Sequence, residues 1–189
     1  FQKRLSATVA IFNLKKMNAL YAAPIDGFPD RMEQIGEEVS KGIELDIAGF
    51  ITPNWSIIAN YSYNDAKITK TKDGKERDFG MQRPNTPRHS GNLWTKYIIG
   101  KGIVKGLGFG AGYNFVTERY GQVAKRSFPI TYPSYGIVDV ALYYKVQNIQ
   151  LQLNLNNALN KTHWVGGYDK LRSFPGAPRN VSITVSYKF

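Results

Sequence analysis

From Asn180 to Phe189 apolar and polar residues alternate without a break. Val181, Ile183, Val185, Tyr187 and Phe189 stand against Asn180, Ser182, Thr184, Ser186 and Lys188. Successive side chains of a strand point to opposite faces, so this segment reads as a strand with one apolar and one polar face. The same period recurs upstream. Ile149, Leu151, Leu153 and Leu155 alternate with glutamine and asparagine, and Val138, Val140, Leu142 and Tyr144 with Asp139, Ala141, Tyr143 and Lys145. Residues 107–115, 56–63 and 43–48 follow suit, and residues 5–14 and 90–99 do so more weakly. No segment of comparable length carries a 3.6-residue apolar stripe. The pattern predicts an all-β fold of about eight antiparallel strands of roughly ten residues, the length of a tilted bilayer-spanning strand.

The connections alternate in length. Short ones fall near Thr52-Pro53-Asn54, Gly102 to Gly106 and Val146-Gln147-Asn148; long ones cover about residues 18–34, 67–88, 119–134 and 160–177. Antiparallel order sends alternate connections to opposite ends, so one end carries tight turns and the other long loops. That asymmetry is the pattern of an outer-membrane β-barrel.

Alternation alone also fits a soluble barrel with its apolar face inward. Three features turn the apolar face outward. The polar face is rich in Asn, Gln, Ser, Thr and Gly, which suits a wet lumen. Aromatics (Trp55, Tyr61, Tyr63, Tyr97, Tyr113, Tyr135, Tyr144 and Tyr187) collect near strand ends, as interfacial girdles require. The chain ends on Phe189, in phase with the apolar face.

Composition fits this reading. Mean hydropathy is −0.35, and no apolar run reaches the ~18 residues of a transmembrane helix. Zero cysteine removes disulfide scaffolds, thiolate zinc sites and cysteine nucleophiles. The net charge of +11 invites a nucleic-acid reading. Yet the cations are scattered over separate connections (Lys67 to Arg77, Lys101 and Lys105, Arg119 to Arg126), the first of which also holds Asp73, Glu76 and Asp78. No nucleic-acid partner is expected. The sequence starts at Phe1 without a signal peptide, so it reads as processed or as part of something longer.

Several stretches, in order, resemble the carboxy-terminal part of TonB-dependent ferric-siderophore receptors. They are Ser40-Lys41-Gly42-Ile43-Glu44-Leu45, Trp55 with Tyr61-Ser62-Tyr63-Asn64-Asp65-Ala66, Asn85-Thr86-Pro87-Arg88-His89 with Asn92-Leu93-Trp94, Gly110-Ala111-Gly112-Tyr113 through Glu118-Arg119-Tyr120-Gly121, Tyr135 with Val138-Asp139, Asn154 to Lys161, and Pro178-Arg179-Asn180 to Phe189. One departure is His163-Trp164, where the family often has Tyr-Tyr. The resemblance implies an antiparallel transmembrane β-barrel of 22 strands with an amino-terminal plug. Residues 1–189 would form the carboxy-terminal part of that barrel, about its last eight strands, without the plug.

The resemblance further implies a receptor in the outer membrane of a Gram-negative bacterium that imports a ferric siderophore as transported ligand, without a resident cofactor. Implied partners are TonB through a missing amino-terminal region, outer-membrane lipid and lipopolysaccharide, and the barrel-assembly machinery through Phe189. A ferric chelate is bulky, partly apolar and often anionic, which suits aromatic and cationic loop residues. The candidates are Arg119, Tyr120, Arg126, Phe128 and Tyr132 in one loop and His163, Trp164, Tyr168, Arg172 and Phe174 in another. Lumen-facing Glu44, Asp46, Asp139 and Lys145 read as a wall network or plug contact. Gly108, Gly110 and Gly112 read as sites where a plug or a neighbouring wall comes close.

No enzyme is expected: there is no G-x-S-x-G elbow and no phosphate loop. His89 and His163 lack a spaced metal-ligand partner. Two alternatives stay open. One is a self-contained eight-stranded barrel with a structural or adhesive role, which requires the first strand to pair with the last. The other is a TonB-dependent receptor for haem, cobalamin or a glycan.

Overall fold

The computed structural model describes residues 4–22, 26–28, 31–70, 79–121, 130–169 and 171–189. Among these residues there are twelve strands: β1 (Leu5–Ala22), β2 (Met32–Thr52), β3 (Trp55–Lys70), β4 (His89–Ile98), β5 (Leu107–Val116), β6 (Arg119–Tyr120), β7 (Thr131–Tyr132), β8 (Tyr135–Val146), β9 (Ile149–Asn156), β10 (Trp164–Asp169), β11 (Arg172–Pro175) and β12 (Asn180–Tyr187). Eight form one antiparallel sheet in the order β1-β2-β3-β4-β5-β8-β9-β12. The pairs β6-β7 and β10-β11 are separate two-stranded hairpins. The sheet is open: among the described residues β1 pairs with β2 alone and β12 with β9 alone. The pairing that a self-closed eight-stranded barrel needs is absent from this sheet.

Burial identifies the two faces. Side chains converge on the concave side of a curved sheet and splay on the convex side. Along β5, Phe109, Ala111 and Tyr113 are exposed while Gly108, Gly110 and Gly112 are buried. Along β8, Val140, Leu142 and Tyr144 are exposed while Ala141 and Tyr143 are buried. The apolar face is therefore convex and the polar face concave, as the alternation predicts. On the convex side Trp55 pairs with Tyr97 and Tyr97 with Phe109 near the short turns. Tyr61, Tyr63 and His89 gather farther along, with Tyr61 Oη 2.7 Å from His89 Nδ1. From Trp55 to Tyr63 is about 26 Å of strand at ~3.3 Å per residue, close to the apolar band of an outer-membrane barrel.

Two details differ from the sequence expectation, and a third agrees with one of its alternatives. First, β1, β2 and β3 have 18, 21 and 16 residues, well beyond ten. Segments placed in the loops 18–34 and 67–88 are paired strand. Here Ala19, Ala66 and Ile68 are buried and residues 80–83 bond back onto β3, so the lipid-facing alternation of the wall fades although backbone pairing continues. Polar side chains tie it together: Lys15 Nζ lies 2.7 Å from Glu37, Arg83 Nη1 3.1 Å from Glu38, and Thr69 Oγ1 donates to Glu37 at 2.8 Å. The Lys15 ammonium and then the Thr69 hydroxyl hold the Glu37 carboxyl below the usual carboxylate range. A bulge at Asn18, with φ 57°, shifts the β1-β2 register. Second, Tyr135 is no girdle residue. It is in phase with Ile137 and Asp139 on the concave side and packs on His163 at 4.7 Å between ring centroids. Third, the glycine face of β5 is covered by its neighbours in the wall. A Cβ at Gly110 would lie 2.8 Å from Trp94 and 3.0 Å from Tyr143, and one at Gly112 would collide with Trp94. The missing side chains let these two rings lie flat on the wall.

Candidate functional site

The long connections meet above the concave face. Residues Arg119–Tyr120 pair with Thr131–Tyr132 to make one hairpin, and Trp164–Asp169 with Arg172–Pro175 to make a second. Arg119 joins them. It is 4% exposed, its Nη2 donates to the Trp164 carbonyl, and its guanidinium lies 5.7 Å and 5.5 Å from the ring centroids of Tyr132 and Tyr135. Two aromatic faces and a carbonyl thus stabilise a buried cation. Tyr132 is equally buried. Its hydroxyl lies 2.8 Å from Ser173 Oγ, and its ring stacks on Trp164 at 6.5 Å.

Asn85 makes a third tie. Its Nδ2 donates to the Gly167 carbonyl at 2.7 Å, and its Oδ1 accepts the Gly167 N–H at 3.1 Å. At the base of the second hairpin, Asn157 is 3% exposed. Its amide group donates to the carbonyls of Lys161 and Ala177 and accepts the Lys161 N–H. The Asn157 N–H donates to Asp139 at 2.7 Å, Asn114 donates to the other Asp139 oxygen at 3.1 Å, and Asn92 donates to Asn114. A polar rail thus crosses the concave wall from β4 to the second hairpin.

The sequence candidates divide accordingly. Arg119, Tyr132 and His163 pack hairpin on hairpin and hairpin on wall. Tyr120 lines a cavity of about 400 Å³ together with Gln82, Thr86, Arg88, His89, Thr117, Glu118 and Arg119. Trp164, Arg172 and Phe174 present exposed surface on the second hairpin. Arg126 and Phe128 lie outside the described residues, as does the Tyr168 side chain. On the wall, Glu44 and Asp46 are exposed and share the concave phase, while Asp139 is held by two donors. Asn85 and Asn157 were not among the candidates. Their φ values of 56° and 49° supply the signal, because asparagine is the commonest non-glycine residue in the left-handed region.

The comparisons with known proteins agree with this geometry. The model of the family described as TonB dependent receptor-like, beta-barrel matches residues 1–158. The chain belongs to this receptor family. It is 33% identical over 187 residues to the metal-pseudopaline receptor CntO of Pseudomonas aeruginosa, a match covering 98% of this chain and 25% of the relative. The ferrichrome outer membrane transporter/phage receptor of Escherichia coli is 27% identical over 187 residues, covering 96% of this chain and 24% of that protein. The crystal structure of the siderophore receptor PiuA from Acinetobacter baumannii superposes with a TM-score of 0.84 at 31% identity, over 100% of this chain and 27% of that one. The chain therefore spans about a quarter of the length of the relatives it matches. Within this family the concave face is the inner wall of a barrel, and the joined hairpins stand at one mouth.

Proposed function

We propose that this chain forms the carboxy-terminal wall section of a Gram-negative outer-membrane receptor that imports a ferric siderophore by binding and energy-coupled translocation. The observation that carries the reading is an open eight-stranded sheet, apolar outside and polar inside, in a chain whose relatives at about one-third identity include a receptor named for a metal chelate. The free edges of β1 and β12 continue into further strands of the wall, because an unpaired backbone edge in lipid is costly. The work is binding and passage, with no bond made. TonB acts through a part of the receptor outside residues 1–189. The exposed cations beyond the outer aromatic ring meet lipopolysaccharide, and Phe189, set edge-on to Tyr187 at 5.0 Å, is the contact for the barrel-assembly machinery. The ligand meets Tyr120, Trp164, Arg172 and Phe174, with Arg126, Phe128 and Tyr168 added from the same loops. Arg119, Tyr132 and His163 hold those loops in place.

The test is deletion of the gene, followed by iron-limited growth on defined siderophores, with the full-length gene restored in trans. Loss of growth on one of them, restored by the gene, is the expected result. Unchanged growth on every siderophore tested would defeat the reading for those ligands. The resemblance to a metal-pseudopaline receptor favours a second reading, in which the cargo is a metal chelate other than a ferric siderophore. Total metal content of the deletion strain separates the two.

A further inference from the structure

Just before β4 the chain makes a β-turn over Arg83, Pro84, Asn85 and Thr86, closed by the Thr86 N–H donating to the Arg83 carbonyl at 3.3 Å. Proline at the second position and a residue with φ 56° at the third are the pattern of a type II turn. The wall fastens this turn at both ends. The Arg83 N–H donates to the Ala66 carbonyl at 2.9 Å, and the Asn64 N–H donates to the Arg88 carbonyl at 2.9 Å. From that base Asn85 reaches two other connections. Its own N–H donates to the Tyr120 carbonyl at 2.6 Å in the first hairpin. Its side-chain amide pairs with both the N–H and the C=O of Gly167 in the second. The amide thus takes the part of a hydrogen-bonded residue in a neighbouring strand. Two glycines make room for the approach. A Cβ at Gly166 would lie 3.0 Å from Asn85 Oδ1, and one at Gly167 would collide with the Tyr132 hydroxyl. Every partner in this arrangement belongs to the chain itself.

We infer that Asn85 is a positioning residue for cargo capture. It holds both hairpins to the wall before cargo arrives, so that Tyr120 on one and Trp164, Arg172 and Phe174 on the other stand as a preformed surface. The inference rests on the uptake reading above and adds a residue that sets the strength of capture. The physical basis is preorganisation: a loop ordered in advance spares the binding step the entropy of ordering it. Arg119 and Tyr132 tie hairpin to hairpin, whereas Asn85 ties the pair to a turn that the wall holds. Loss of its side chain defers part of the ordering to the binding step. Capture then weakens, and the later passage of bound cargo is unchanged.

The experiment uses the full-length receptor and its Asn85→Gly variant, which keeps the left-handed backbone and the bond to Tyr120 and loses only the amide pair. In the first arm, hydrogen exchange is followed without cargo. The variant should exchange about tenfold faster over residues 164–169, with residues 149–156 unchanged. Exchange at the native rate over 164–169 overturns the inference, whether or not the receptor imports anything. In the second arm, cells with equal receptor abundance take up a ferric tris-catecholate or a ferric tris-hydroxamate labelled with radioactive iron. For a chelate that the native receptor accumulates, the variant should raise the half-saturating concentration about tenfold and keep the maximal rate within twofold. Saturation with that chelate should return exchange over 164–169 to near the native rate. A fall in maximal rate at unchanged half-saturation, or uptake like the native receptor's in both respects, overturns the positioning role. Faster exchange in a receptor that accumulates neither chelate defeats the uptake reading for those chelates and leaves the hold of Asn85 on the hairpins standing.

Discussion

The wall strands and the hairpins above them share antiparallel pairing, but different interactions stabilise the two. Between the aromatic rings the sheet is sorted by solvent. The strands put mostly Val, Ile, Leu or aromatic residues on the convex side and mostly polar or small residues on the concave side, and the glycines of β5 admit Trp94 and Tyr143. Above the rings no face meets lipid and the sorting disappears. Order there comes from a few side chains bonded to distant backbone: Arg119 to Trp164, Asn85 to Gly167, Asn157 to Lys161 and Ala177. The wall is specified by a repeated pattern and the mouth by single residues, so the wall should tolerate many substitutions that keep phase. The mouth should fail at particular positions.

Adjacent residues on β12 separate these regimes most sharply. Ile183 on the convex face and Thr184 on the concave face differ only in phase. Ile183→Arg should destabilise the full-length receptor in lipid vesicles by about 2–4 kcal/mol, as expected for a cation at the lipid midplane. Thr184→Arg should stay within about 0.5 kcal/mol. Denaturant unfolding in vesicles measures both, and equal costs would erase the distinction between the faces. Gly110→Val comes next. Its Cβ would lie 2.8 Å from Trp94 and 3.0 Å from Tyr143, so overpacking should cost about 1–3 kcal/mol in the same assay.

In the mouth, Asn157→Ala removes three hydrogen bonds from a buried amide and leaves the carbonyls of Lys161 and Ala177 unpaired. The expected cost is about 1–3 kcal/mol, confined to the second hairpin. Hydrogen exchange over residues 158–179 should rise, while residues 149–156 stay protected. Exchange rising equally in both would show that the hairpin is no separate unit. The smallest effect concerns acid. The folded Glu37 carboxyl titrates below its ordinary value of 4.5. Its contribution is therefore present above that value and is lost as pH falls through the lowered folded value. Protection against exchange in residues 33–39, relative to the intrinsic rate at each pH, should fall below about pH 4.5, and Lys15→Met should abolish most of that pH response.

How far the sequence discloses the fold follows from the same contrast. Alternation is visible wherever lipid wets one face, so the eight wall strands, their antiparallel order and the outward apolar face are all legible. The extension of β2 over Glu33-Gln34-Ile35-Gly36-Glu37-Glu38 is not, because a strand beyond the lipid has no apolar face to keep in phase. Tyr135 misleads for a related reason. An aromatic near a strand end suits a girdle, and only its phase with Ile137 and Asp139 reveals the concave side. The short strands of the mouth, two to six residues long, are too brief for any period. Arg119 shows the limit at the site: composition cannot tell a solvated loop arginine from one buried between Tyr132 and Tyr135.

The central claim is that one face of this sheet meets lipid and the other an aqueous lumen. A nitroxide scan of residues 180–187 in the full-length receptor, reconstituted in lipid, tests it directly. Labels at 181, 183 and 185 should be reached by oxygen, which concentrates in the bilayer, and shielded from a water-soluble nickel chelate. Labels at 182, 184 and 186 should show the reverse. A scan of opposite phase, or one with no period of two, would contradict the account.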